Sequence, residues 1–250
     1  GYIAGFTGKE LERLVNDDFG LESDFIQVKD GFTRINVKLK AKEETEINGQ
    51  GPLISDLDVQ KLFKQLEMLE ENDFLFMSGS IPKSLSANFY GQIMENLKSK
   101  NINFVVDVFG QALKESLPYK PFLIKPNLRE LEDIFDVSIS EDDDIRIYAK
   151  KLQDLGAQNI IISLGGDGAY LLDKNGNDYF LDAPEGELID SVGAGDSMLA
   201  GFAYSVMQEN TFEEAFKFSV ACGSATAFSE NIGTKEEIYN LYESCLLYTS

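Results

Sequence analysis

The residue best placed to do chemistry in this chain is an aspartate set among glycines. In Asp190-Ser191-Val192-Gly193-Ala194-Gly195-Asp196-Ser197-Met198-Leu199-Ala200-Gly201-Phe202, a Gly-Ala-Gly turn runs straight into a helical pattern. Glycines let successive backbone N–H groups converge on one point, and a helix N-terminus adds partial positive charge there. A cradle of Gly193, Ala194 and Gly195 therefore suits an anion, including the charge that grows on a phosphoryl group in transfer. Asp196, in the first helical turn, is placed to take a proton from an attacking hydroxyl. The plainer alternative is a strand–turn–helix junction with a favourable first-turn carboxylate. The segment is not GxGxxG, because Met198 stands where the third glycine belongs, and Gly8-Lys9 is followed by Glu10, so it is no P-loop.

Other segments offer binding chemistry. In Lys125-Pro126-Asn127-Leu128-Arg129-Glu130, the i, i+3 spacing puts Asn127 and Glu130 on one helix face. Hard oxygens there suit Mg²⁺ held through waters, while an Asn cap with a first-turn Glu is the alternative. Ser163-Leu164-Gly165-Gly166-Asp167-Gly168-Ala169 follows an apolar run, and its glycines fit either the phosphates of a nucleotide or a tight turn. Alternation in Thr33-Arg34-Ile35-Asn36-Val37-Lys38 places Arg34, Asn36 and Lys38 on one face. There Arg34 can grip a phosphate ester with two N–H groups, or the face is simply solvated. Ser78-Gly79-Ser80-Ile81-Pro82 reads as a substrate loop or a plain turn.

Composition removes several classes. With no histidine, Ser-His-Asp, Cys-His and HExxH chemistries are excluded, leaving Asp, Glu, Lys, Tyr or Cys as general base. A net charge of −21 argues against nucleic acid or an anionic membrane as partner. Two cysteines, Cys222 and Cys245, with no CxxC fit a reducing, cytoplasmic setting without structural zinc. No apolar run reaches the ~18 residues of a membrane helix.

The elements that must position these residues follow an α/β rhythm. Thr7-Gly8-Lys9-Glu10 reads as a capping box opening a helix, and 32–39 with 44–48 as a hairpin turning over Lys40 to Glu43. Ser55 or Asp56 starts a helix carrying Val59, Leu62, Phe63, Leu66 and Leu69 at the 3.6-residue period. Apolar strands at 74–77, 104–106, 122–124 and 160–162 alternate with helices near 86–99 and 142–155, which implies a parallel sheet covered on both faces. A hairpin at 169–173 and 178–182 and helices near 194–208, 212–228 and 235–246 complete one domain spanning 1–250. The hairpin at about 32–50 is expected to stand off the sheet as a lid.

In order and spacing these motifs resemble the ribokinase-like carbohydrate kinases, the phosphofructokinase-B group, over nearly the whole chain. DSVGAGDSMLAGF is similar to that family's second signature and KPNLREL to its Asn-x-x-Glu magnesium motif. The resemblance implies a three-layer α/β/α sandwich around a mainly parallel sheet, with a small β lid. It implies ATP-dependent phosphorylation of fructose 1-phosphate to fructose 1,6-bisphosphate. Tagatose 6-phosphate or another sugar is the alternative substrate, and an inactive sugar-phosphate- or nucleotide-binding protein the alternative outside enzymes.

By the same resemblance Asp196 is the base, with Gly193, Ala194 and Gly195 as the anion hole. Asn127 and Glu130 organise Mg²⁺, and Lys125, Ser163, Gly165, Gly168, Ala221, Gly223 and Ser224 meet ATP. Arg34, Lys38 and Ser80 hold the sugar phosphate, Asp190 and Val192 fall where relatives bind a monovalent cation, and a homodimer forms through the lid. The family's N-terminal strand and its Gly-Gly-Lys-Gly-like motif precede the point where this sequence starts, so the resemblance implies an N-terminally truncated domain.

Overall fold

The computed structural model describes residues 1–40, 44–140 and 142–244, with the side chains of 38–40, 44–46, 143 and 244 outside that description. The residues described form two compact units, 1–70 with 80–89, and 71–79 with 90 onward.

In the first unit, strand β1 (Tyr2–Ala4) pairs in parallel with β2 (Ile26–Val28). Ala4, Val28 and Ile54 form its small core. Helix α1 (Gly5–Arg13) begins before Thr7, with Ala4 at its N-cap and no side-chain cap. The expected capping box at Thr7 is thereby corrected: its hydroxyl donates to the Thr33 carbonyl at 3.2 Å. Helix α2 (Asp56–Leu66) starts as expected, since Ser55 Oγ accepts from the Asp58 N–H. Strands β3 (Asn36–Lys40) and β4 (Glu44–Asn48) pair antiparallel with Asn36 opposite Asn48 and Val37 opposite Ile47. Residues 32–35, read from sequence as strand, precede β3 as irregular chain. Most of the expected turn, residues 41–43, lies outside those described.

The second unit is built on a six-stranded sheet. Strands β5 (Phe74–Ser78), β6 (Asn103–Asp107), β7 (Leu123–Ile124) and β8 (Asn159–Ser163) run parallel. Strands β9 (Ala169–Leu172) and β10 (Asp178–Leu181) are antiparallel, giving the order β10-β9-β8-β7-β6-β5. Continuous apolar runs such as Ile160-Ile161-Ile162 need cover on both faces, and all three are fully buried. One face carries Val105, Leu123, Ile161 and Leu171, packed with residues of helices α7 (Ala194–Met207) and α8 (Phe212–Ala227). Ile124, Ile160 and Ile162 alternate to the other face. Helix α4 (Gly110–Ser116) contacts β6, while α5 (Leu128–Phe135) and α6 (Asp142–Asp154) contact β8. Helices α3 (Phe89–Leu97) and α9 (Lys235–Ser244) complete the α-helices among the described residues, and of the strands and α-helices β2 and α4 are the ones the sequence did not signal.

Candidate active site

Parallel strands end together, so residues at their carboxyl ends gather along one edge of a sheet. Asp107 ends β6, Lys125 follows β7, and Ser163 ends β8. Ser163 forms a parallel bridge with Asn127, and its N–H donates to the Pro126 carbonyl at 3.2 Å. The Asn127 and Ser163 motifs, 36 residues apart in sequence, thus adjoin.

Helix α7 starts at this edge. Gly193 is its N-cap, at φ 81°, a left-handed conformation that strains any residue with a Cβ, and no side chain caps the helix. The Ala194 N–H, expected in the anion hole, donates instead to the Ser191 carbonyl at 3.2 Å, and no side chain caps the N–H groups of Gly195 and Asp196 that follow. Lys125, 9% exposed, lays its amine against Gly195: a Cβ there would stand 2.7 Å from Nζ. The tight approach adds a full positive charge to the partial charge of the helix end. Asp196 lies in that first turn with its surface exposed. Gly193, Ala194, Gly195, Asp196 and Lys125 are therefore brought together.

Asp107 was missed by the sequence reading. Its Oδ1 lies 3.7 Å from Lys125 Nζ. Burial pushes its carboxyl above the usual carboxylate range, Lys125 opposes that push, and the charges of Asp196 and Glu130 add to it. Three carboxylates thus share one field with one lysine. The available signal was position alone, a carboxylate closing an apolar run of a parallel strand.

At α5 the arrangement differs. Asn127 Oδ1 accepts from the Glu130 N–H at 2.8 Å, and Glu130 Oε2 accepts from the Asn127 N–H at 2.9 Å. This reciprocal capping box engages Asn127 Oδ1 and Glu130 Oε2, two of the oxygens that the sequence reading offered to magnesium. Among the described residues no group of three or more Asp, Glu or Cys side chains forms a direct metal-ion site. Oxygen donors that repel one another across a partly wet edge nevertheless suit a divalent cation held through its own waters.

The expected nucleotide contacts separate. Gly165 is open, with nothing within 4 Å of where a Cβ would stand, whereas at Gly168 a Cβ would strike the Leu181 carbonyl oxygen. Ala221 is fully buried in the core, and Gly223 is buried where a Cβ would strike Met198 of α7. These two residues pack helices, and of the trio Ser224 alone keeps surface.

In the first unit, the guanidinium of Arg34 donates to Asn36 Oδ1 at 2.8 Å, to Asn48 Oδ1 at 3.3 Å and to Ser80 Oγ. Arg34 and Ser80 are thus joined as expected, while the side chain of Lys38 lies outside those described. At the cation position suggested by resemblance, the Val192 N–H donates to Asp190 Oδ1 at 3.0 Å. No described helix is long and apolar enough to cross a membrane.

Comparison with known proteins bears on the family and the fold. The model of the pfkB family carbohydrate kinases matches residues 3–238. A 1-phosphofructokinase of Bacillus subtilis is 46% identical over 241 residues, covering 96% of this chain and 78% of its own. A D-tagatose-1-phosphate kinase of Bacillus licheniformis is 34% identical, covering 93% and 76%. Among solved structures, phosphofructokinase-2 of Escherichia coli in complex with potassium superposes with a TM-score of 0.89 at 26% identity, covering 97% and 80%. The ribokinase-like α/β fold with its mostly parallel sheet is common to both.

Proposed function

Because this chain belongs to the pfkB family of carbohydrate kinases, and so to the phosphotransferases acting on a sugar hydroxyl, we propose that it phosphorylates fructose 1-phosphate on its C6 hydroxyl, using ATP. The observation that carries the chemistry is the uncapped start of α7, with Asp196 in its first turn and the Lys125 amine against Gly195. The choice of sugar is supported by similarity to the Bacillus subtilis 1-phosphofructokinase.

Asp196 accepts the proton of the C6 hydroxyl as its oxygen attacks the γ-phosphorus. The bond from that phosphorus to the bridging oxygen breaks, ADP leaves, and fructose 1,6-bisphosphate is formed. The N–H groups of α7 and Lys125 stabilise charge on the phosphoryl oxygens, and most of the acceleration is positioning and electrostatics. Glu130, oriented by Asn127, and Asp107 would hold hydrated Mg²⁺, whose chemistry is to neutralise phosphate oxygens. Ser163, Gly165 and Ser224 have surface for ATP, and Gly168 shapes the turn between β8 and β9 that carries Gly165.

Arg34 with Ser80 takes the phosphate already on the sugar, and Lys38 is a further substrate-binding residue. Residues 1–250 act as one kinase domain with a lid at about 32–50. Val37 and Ile47, exposed and directly opposed on the hairpin, suit pairing of two lids in a homodimer. Asp190 and Val192 suit a monovalent cation, as the potassium in the Escherichia coli structure suggests. The cytoplasm, where ATP is kept, is the matching compartment.

Similarity to the Bacillus licheniformis D-tagatose-1-phosphate kinase favours one second reading, a tagatose phosphate as acceptor. ADP release with MgATP decides between them when fructose 1-phosphate is compared with tagatose 1-phosphate, tagatose 6-phosphate, fructose 6-phosphate and ribose. Turnover selective for fructose 1-phosphate is expected. Preference for a tagatose phosphate would move the assignment to the second reading, and sugar binding without ADP formation would make the chain a binding protein.

A further inference from the structure

An arginine grips a phosphate firmly only if its planar fork is held still, and the hairpin supplies a device for that. Guanidinium is a donor only, with one N–H on Nε and two on each terminal nitrogen. Arg34 Nε donates to Asn36 Oδ1 at 2.8 Å, Nη2 to Asn48 Oδ1 at 3.3 Å, and Nη1 to Ser80 Oγ. Three of five donors are spent. Among the described residues the remaining two have no acceptor, and they lie one on each terminal nitrogen. Two parallel N–H groups on neighbouring nitrogens are the pattern that meets two oxygens of a phosphate.

The two asparagines come from different strands and meet through register. Residues 34 and 36 share a face by the two-residue period, and Asn48 stands directly across from Asn36. The Gly49 N–H donating to the Ile35 carbonyl at 3.0 Å carries the pairing one step beyond β3 and β4. A one-residue slip would turn Asn48 to the opposite face and remove its oxygen from Nη2.

We infer that Asn36 and Asn48 are positioning residues for Arg34, holding its guanidinium so that its two unspent N–H groups form a preset fork for the substrate's phosphate. The inference rests on the reading that Arg34 takes that phosphate. It adds that recognition depends on hairpin register and on two uncharged side chains that do their work by aiming a third.

The test is a double-mutant cycle on the full chain, with Asn48→Ala, Arg34→Ala and the pair. Affinity for fructose 1-phosphate and for fructose is measured by calorimetry, and KM and kcat wherever ADP is released. All positions are exposed, and circular dichroism checks the fold. Asn48→Ala should weaken fructose 1-phosphate binding about tenfold while leaving fructose and ATP unchanged, as expected for a lost hydrogen bond to a charged group. In the Arg34→Ala background the same change should add almost nothing, because its effect passes through the guanidinium. Asn36→Ala should behave alike. If Arg34→Ala weakens binding but Asn48→Ala does not, or the two effects add in full, the positioning inference falls and the Arg34 reading stands. If Arg34→Ala has no effect, or the parent chain does not prefer fructose 1-phosphate over fructose, the reading and the inference fall together.

Discussion

At the start of α5 the backbone N–H groups of Asn127 and Glu130 are each satisfied by the other residue's side chain. At the start of α7 the cap is Gly193, which has no side chain, and the Lys125 amine lies against Gly195. Both helices follow the same edge of the same sheet. The first end is closed and electrically settled, and the second is left with unspent donors and an added positive charge. The first pattern recurs at two other helices: Thr211 and Glu214 close α8, and Thr234 and Glu237 close the start of α9. Helices α1 and α4 also start without a side-chain cap, so what distinguishes the start of α7 is the missing cap together with the Lys125 amine against Gly195.

The comparison breaks most readily at Asp196. Asp196→Asn should leave the melting temperature unchanged and reduce the rate of ADP release by ~10²–10⁴-fold. A variant that keeps nearly full turnover would mean that the open end of α7 binds without supplying the base.

The closed end offers a sharper question, because a capping box and a cation support would use the same two residues. Asn127→Ala should cost about 1 kcal/mol of stability as a lost cap. It should also raise the Mg²⁺ concentration for half-maximal rate by about tenfold, as removal of an orienting partner does. Unchanged Mg²⁺ dependence with lowered stability would return Asn127 to capping alone.

The smallest effect is expected at α8. Thr211→Ala should destabilise by about 1 kcal/mol and leave turnover intact. Bonds from the Thr211 N–H and hydroxyl hold the Glu214 carboxyl below its ordinary range. A lowered folded-state pKa contributes stability above the unfolded value and loses it as pH falls through the folded value. The gap between parent and variant should therefore narrow on acidification below the usual carboxylate range. A gap constant with pH would detach Glu214 from the cap.

Legibility in the sequence followed the strength of local signals. The four parallel strands and the helices from 142 onward were readable because long apolar runs and 3.6-residue patterns have few alternative solutions. Strand β2 was not, since Ile26-Gln27-Val28 is too short to show a period. Thr7 illustrates a competing demand: the pattern fits a capping box, but a tertiary partner, the Thr33 carbonyl, takes the hydroxyl. At the candidate site Gly193, Gly195 and Asp196 were evident from type and spacing. Asp107 was not, because an acidic residue closing a strand is commonplace until folding sets Lys125 beside it. Ala221 and Gly223 were ambiguous for a different reason: small residues on a helix read equally well as room for a ligand or as room for another helix.

The placement of Lys125 has one more consequence. A cation buried against the positive end of a helix is locally frustrated, and Asp107 at 3.7 Å relieves it only in part. A substitution relaxing that conflict, such as an uncharged residue at 125, is the kind of change that selection for thermal endurance alone would find. Evolution for durability and evolution for catalysis would therefore pull this position in opposite directions.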